Sequence, residues 1–151
     1  MMKEYEDKIK IVNGAKYVIN FDEHAPHVDI PIGYIKYWSE LLSTNEFAIA
    51  YSLSSWISEC DNSLKIGNKY LDIKDMSEKL EEKYNLIKKI IYQLIKHRAI
   101  CECYTSENTS IYFLNPTIAC HKDELVENVF DIFNGKKIVK INDIVYTNKN
   151  L

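Results

Sequence analysis

Residues 76–97 read MSEKLEEKYNLIKKIIYQLIKH, and the apolar positions of this stretch decide how the chain is organised. Met76 and Leu80 lie one helical turn apart, and Ile87, Ile90, Ile91, Leu94 and Ile95 recur at the spacing of one buried helix face. The pattern predicts a short helix capped by Asp72 and carrying Ile73, Met76 and Leu80, then a second helix near residues 84–97. The second helix turns Lys83, Tyr84, Asn85, Lys88, Lys89 and Tyr92 outward. Glu81 and Glu82 fall in the turn between the two, and Asn85 is expected to cap the longer helix.

Working outward, two alternating runs follow, Ile100–Tyr104 and Ser110–Leu114, joined by the polar loop Thr105-Ser106-Glu107-Asn108-Thr109. Upstream, Tyr34, Ile35, Trp38, Leu41 and Leu42 define a helix, and Ser43-Thr44-Asn45-Glu46 has the form of a capping box. A longer helix is expected from there to about Glu59, ended by Asp61-Asn62-Ser63. Leu64–Tyr70 reads as a short extended piece turning at Gly67-Asn68. At the N-terminal end, residues 9–21 alternate around Asn13-Gly14, which supplies the positive φ angles of a β-hairpin turn, and Asp22–Gly33 reads as a loop broken by Pro26 and Pro31. After the break at Asn115-Pro116, Asp123–Phe133 reads as an amphipathic helix with Leu125, Val129, Ile132 and Phe133 on one side, closed by Asn134-Gly135. A strand is expected between Ile138 and Val145.

The 151 residues suit one domain, and 46% hydrophobic with 27% charged residues is ordinary for a globular chain. Met1–Asp7 is charged without an apolar segment, and no run approaches the roughly 18 apolar residues of a membrane span. A cytoplasmic protein with no membrane partner is expected, and Cys60, Cys101, Cys103 and Cys120 are expected to be free thiols there. Cys101-x-Cys103 points two side chains to one strand face, but the spacing is not that of a zinc knuckle, and His24-Ala25-Pro26-His27 has the wrong spacing for a nickase metal motif. No Gly-rich phosphate loop is present, and no Ser or Cys sits beside an evident His base. No metal, cofactor or catalytic residue is expected.

The order helix, helix, short helix, helix, hairpin is that of a winged helix-turn-helix. The expected class is α+β, with an N-terminal β-hairpin and loop (1–33), a winged-helix core (34–116), and a C-terminal helix and tail (117–151). Met76, Leu80, Ile87, Ile91, Leu94 and Ile100 occupy the apolar positions of the winged-helix bacterial regulators, which this stretch resembles. Phe113-Leu114-Asn115-Pro116 before an amphipathic helix, and Gly33-Tyr34-Ile35-Lys36 leading into one, are similar to the small RepL-type replication proteins of Gram-positive plasmids and related phage proteins. That resemblance implies binding of an origin or operator in double-stranded DNA. Two positions depart from the regulators: Glu81 and Arg98 stand where Gly is usual.

Residues 81–98 hold Lys83, Lys88, Lys89, Lys96 and Arg98 against Glu81 and Glu82, a local excess of three positive charges in a chain of net charge −3. Such an excess favours phosphate contacts, with Asn85 and the lysines reaching base edges in the major groove. The hairpin loop, which has no Lys or Arg, is left with neutral contacts from Thr105 and Asn108. A lysine-rich outward face is most often simply a solvated one. The alternative is therefore a winged helix that binds a partner protein rather than DNA. Trp38 and Phe130 are expected either to pad the core or to form a homodimer interface.

Overall fold

The computed structural model describes residues 6–12, 15–21, 28–121 and 125–149. In chain order its elements are β1 (Glu6–Val12), β2 (Ala15–Phe21), α1 (Ile32–Leu41), α2 (Thr44–Leu53), β3 (Lys65–Ile66), β4 (Lys69–Tyr70), α3 (Ile73–Lys79), α4 (Tyr84–Lys96), β5 (Ile100–Tyr104), β6 (Ser110–Leu114), α5 (Val129–Phe133), β7 (Ile138–Ile141) and β8 (Ile144–Asn148). The chain is α+β. β1 and β2 pair antiparallel from Glu6↔Phe21 to Val12↔Ala15, as the N-terminal alternation predicts. Asn13-Gly14 and the His24–His27 stretch lie outside the described residues.

The helix starts follow their cap chemistry. Glu46 N donates to Ser43 Oγ at 3.2 Å while Ser43 N donates to the Glu46 carboxylate at 3.3 Å, the reciprocal pair expected at α2. Asp72 and Asp75 close the same box at α3, at 2.8 and 3.1 Å. α4 departs from expectation: Lys83 is its N-cap with no side-chain cap bond, so Asn85 lies inside the first turn, exposed. α2 is shorter than the stretch to Glu59, giving way to a 3-10 turn at Ser54–Trp56. The serines around it are weak helix formers, and Ser54 Oγ turns back to the Tyr51 carbonyl. Ile57 is then free to bridge Leu64 in extended form.

Ile87, Ile90, Ile91 and Leu94 of α4 are buried as predicted, and Ile95 partly so. They share a core with Trp38, Leu53, Met76, Ile100, Tyr112 and Leu114. Burying each such aliphatic side chain contributes about 1.5–3 kcal/mol. Behind this core runs an antiparallel sheet of order β6-β5-β8-β7. Its alternation sends Ile100, Tyr112 and Leu114 to the α4 side, and Cys101, Cys103, Ile111 and Phe113 into a second core with α5, β7 and β8. Trp38 thus pads the core, its Nε1 donating to Thr117 Oγ1 at 3.0 Å, whereas Phe130 is 41% exposed.

The C-terminal third differs from the sequence reading in two ways. α5 covers only Val129–Phe133 rather than the whole of 123–133, and Leu125 to Asn128 are not helical. Val126 N is drawn to the Cys60 carbonyl at 2.7 Å and Asn128 Nδ2 to the Lys140 carbonyl at 2.8 Å, which commits this stretch to tertiary bonds. The tail forms two strands instead of one, because Asn142 and Asp143 both take positive φ (49° and 66°) and turn β7 back into β8.

One buried polar residue joins several of these parts. Asn62 is fully buried with φ 60°, and its Nδ2 donates to the carbonyls of Leu114 at 2.9 Å and Ala119 at 2.8 Å. Leu114 N returns a bond to the Asn62 carbonyl at 3.0 Å, so the chain after α2 is laced to β6 and to the segment beyond it. Removing the amide strands two buried acceptors, each costing about 1–3 kcal/mol. Asn62→Ala is expected to lower unfolding stability by about 3 kcal/mol in urea titration, far beyond the effect of a surface Asn85→Ala.

Candidate nucleic-acid interface

The surface singled out by the sequence is the outward side of α4. Because Ile87, Ile90, Ile91 and Leu94 face inward, the 100° step per residue places Asn85, Lys88, Lys89 and Tyr92 on the opposite side. All four are exposed, as are Lys83 and Tyr84 at the start of the helix, with Tyr92 at 67%. The lysines elsewhere are of two kinds. Lys36, Lys69, Lys136, Lys140 and Lys149 each lie within 4.0 Å of a carboxylate oxygen. Among the described residues, Lys83, Lys88 and Lys89 have no such ion-pair partner, as is also true of Lys65, Lys74, Lys79 and Lys137, and Lys89 borders a crevice that Glu46 of α2 also lines.

The two non-glycine positions at the ends of this region have a common structural explanation. Glu81 takes φ 55° and Arg98 φ 61°, the left-handed geometry that Gly adopts without strain. At the end of α3, Glu82 N bonds Ser77 O at 3.0 Å and Glu81 N bonds Glu78 O at 3.3 Å. At the end of α4, Ala99 N bonds Leu94 O at 2.9 Å and Arg98 N bonds Ile95 O at 3.0 Å. Both are Schellman closures, like the one at Gly135 after α5, and they occupy carbonyls that a helix end leaves orphaned. The turn therefore keeps the geometry of a glycine turn without the glycine, and the rebuilt turn with an Asn85 cap does not form.

The β5–β6 hairpin flanks α4 as expected, but its loop contributes little charge. Thr105 is partly buried and its Oγ1 accepts from Glu107 N at 3.3 Å, while Asn108 is exposed with φ 60° at the tip. Thr105 is thus less available than the sequence suggested. At the hairpin base the Glu102 carboxylate is held by Lys149 Nζ at 3.1 Å, and that ammonium also donates to Ser110 Oγ at 2.8 Å. Burial, and then the neighbouring Glu102, push the Tyr112 hydroxyl above its usual range, so it stays protonated.

The cysteines are not poised for chemistry. All four are free, only Cys60 is exposed, and burial pushes the Cys101 and Cys103 thiols up to about 12. No cluster of three or more His, Cys, Asp or Glu able to hold a metal occurs among the described residues. No helix among them is long and apolar enough to cross a membrane. Sequence reasoning missed Asn62 and Asn115, the latter bonding the Arg98 carbonyl through Nδ2 at 2.9 Å and thereby tying the end of α4 to β6.

Comparisons of the chain with protein families, with characterised proteins and with solved structures find no match.

The left-handed Glu81 provides a test of this geometry. Glu81→Gly relieves the backbone strain and is expected to raise unfolding stability by about 0.5–1 kcal/mol, net of the greater freedom of Gly in the unfolded chain. A urea midpoint that falls instead would contradict the Schellman turn.

Proposed function

We propose that this protein binds double-stranded DNA through the outward face of α4, as a winged helix-turn-helix. The observation that carries the reading is the pair Lys88 and Lys89 on the exposed face of α4 beside Asn85 and Tyr92, with Lys83 exposed at its N-cap, none of them ion-paired among the described residues. An α-helix fits the major groove, and lysines without carboxylate partners release phosphate counterions at no cost of a broken ion pair. The order of the elements supports the class: α2, an extended bridge at Ser63 to β6, α3, a tight turn, α4, and the β5–β6 hairpin as the wing. In this reading α4 is the recognition helix, and Asn108 at the wing tip makes a neutral backbone contact.

A homodimer fits the same reading. α1 buries Trp38 yet leaves Tyr34, Tyr37 and Leu41 exposed on one side, an apolar face that a second copy would cover. Two recognition helices would then lie about 34–36 Å apart, on successive turns of a palindromic site. The similarity of Phe113–Pro116 and Gly33–Lys36 to RepL-type proteins favours a plasmid or phage origin or operator as the target, with replication initiation or transcriptional control in the cytoplasm as the outcome. No catalytic step is part of the proposal.

A second reading, a winged helix that binds a partner protein, is favoured by the exposed Glu81 and Glu82 at the start of α4, which repel phosphates. The two are separated by charge reversal. Lys88→Glu with Lys89→Glu is expected to weaken retention of a selected duplex about a hundredfold or more, with urea stability unchanged because both side chains are exposed. Lys140→Glu, on β7, serves as the control and is expected to leave DNA retention near that of the parent chain. Unchanged binding in the double variant would remove α4 from the interface.

A further inference from the structure

The C-terminal end of α4 borders a cleft of about 320 Å³ whose construction differs from that of the outward face. Tyr92, Ile95, Cys101, Ile132 and Phe133 line its apolar part, contributed by α4, β5 and α5, so the cleft meets the outward face at Tyr92. Its charged lining consists of Lys96 and Arg98 alone, both basic, and no acidic side chain is among the residues lining it. Neither cation lies within 4 Å of a carboxylate among the described residues, whereas Lys136 nearby reaches Asp131 at 4.0 Å.

The polar groups of the wall are largely spoken for. The ends of α4 and α5 both point here, and their Schellman bonds occupy the carbonyls of Leu94, Ile95, Asp131 and Ile132. Arg98 Nη1 donates to the Phe133 carbonyl at 3.3 Å, which anchors the guanidinium across the cleft and leaves most of its five N–H donors for another acceptor. Asn148 Nδ2 donates to the Ile132 carbonyl at 3.0 Å. The Cys101 thiol, held protonated by burial, adds no negative charge. What remains is a floor whose accessible apolar surface comes mainly from Tyr92 and Ile95, beside polar groups, beneath two cations with no ion-pair partner among the described residues, a combination that suits one kind of ligand.

We propose that this cleft is a binding site for a small amphipathic anion, an aromatic or branched carboxylate whose apolar body rests on Tyr92 and Ile95 and whose carboxylate meets Arg98 and Lys96. A guanidinium presents parallel N–H donors that match a carboxylate in bidentate form. A DNA phosphodiester would use the cations but would leave the apolar floor unfilled, and a neutral ring would fill the floor but leave the cations unpaired. Ligand pockets combine these two features, an apolar lining with a few convergent polar groups, at about this volume and upward. The site bridges the last turn of α4 to α5, so its occupant would couple the second core to the helix read here as the DNA reader. Binding itself does not depend on that reading.

The experiment uses the full chain, labelled with ¹⁵N, and follows the backbone amides of Arg98, Ala99, Gly135 and Lys136 during titration with benzoate, benzamide and inorganic phosphate. Benzoate is expected to shift these amides saturably at millimolar concentration, with benzamide and phosphate each at least about tenfold weaker. Arg98→Gly removes the guanidinium while placing Gly at a left-handed position, so the variant is expected to fold and to lose benzoate binding. Arg98→Lys, retaining charge, is expected to bind more weakly than the parent and more tightly than Arg98→Gly. Lys140→Gln, on β7, is expected to bind as the parent does. Equal shifts with benzamide would reduce the site to an apolar crevice and overturn the proposal. Equal shifts with phosphate would make it a phosphate contact, and shifts spread over all exposed lysines would make it ion atmosphere; either result also overturns it.

Discussion

Helix α4 has to bury one strip of side chains against α2, α3 and β5 at once, and most of the architecture answers to that requirement. Ile87, Ile90, Ile91 and Leu94 occupy one narrow arc, so the helix has one orientation that removes them all from water. With that orientation fixed, Lys88, Lys89 and Tyr92 have nowhere to point but outward. The chemistry of the exposed face is therefore a consequence of packing on the opposite one. The same strip requires α3 to approach closely, which sets the tight turn at Leu80–Lys83, and requires the chain to reverse at Arg98 to send Ile100 back under the helix.

Those two reversals are made by residues poorly suited to them. Glu81 and Arg98 hold left-handed backbone at a cost of about 1–3 kcal/mol each, stabilised by the Schellman bonds around them. Polar side chains placed inside the fold offset part of this. Asn62 holds the carbonyls of Leu114 and Ala119, and Asn115 holds the carbonyl of Arg98, so the C-terminal end of β6 and the segment beyond it are tied down by asparagine amides. Arg98 keeps a side chain where glycine would sit more easily, and that side chain crosses to α5 over a cleft that Lys96, Asn148 and several apolar groups also line.

The sequence was most informative where periodicity and cap chemistry coincide. The inward face of α4, the boxes at Ser43 and Asp72, and the β5–β6 hairpin could all be read because each is a local rule with a local outcome. Long-range bonds decided the parts that were misread. Nothing near Asp123–Phe133 reveals that Val126 bonds Cys60 or that Asn128 bonds Lys140, and those bonds shorten α5 to a single turn. The Asn142-Asp143 turn was hidden inside a run of alternating residues, because it has no glycine to mark it. Burial of Asn62 left no trace in composition, since Asp61-Asn62-Ser63 looks like any helix terminator. Of the candidate interface, the α4 residues were legible, and the partial burial of Thr105 was not.

The claim that α4 meets nucleic acid through Lys83, Lys88 and Lys89 is tested most directly by the salt dependence of binding to duplexes selected from a random pool. Three phosphate contacts per protomer, six in a dimer, predict a log–log slope of affinity against salt of about −5, with palindromic sites enriched. A slope near zero, or a pool from which no duplex is enriched at low salt, would contradict the account.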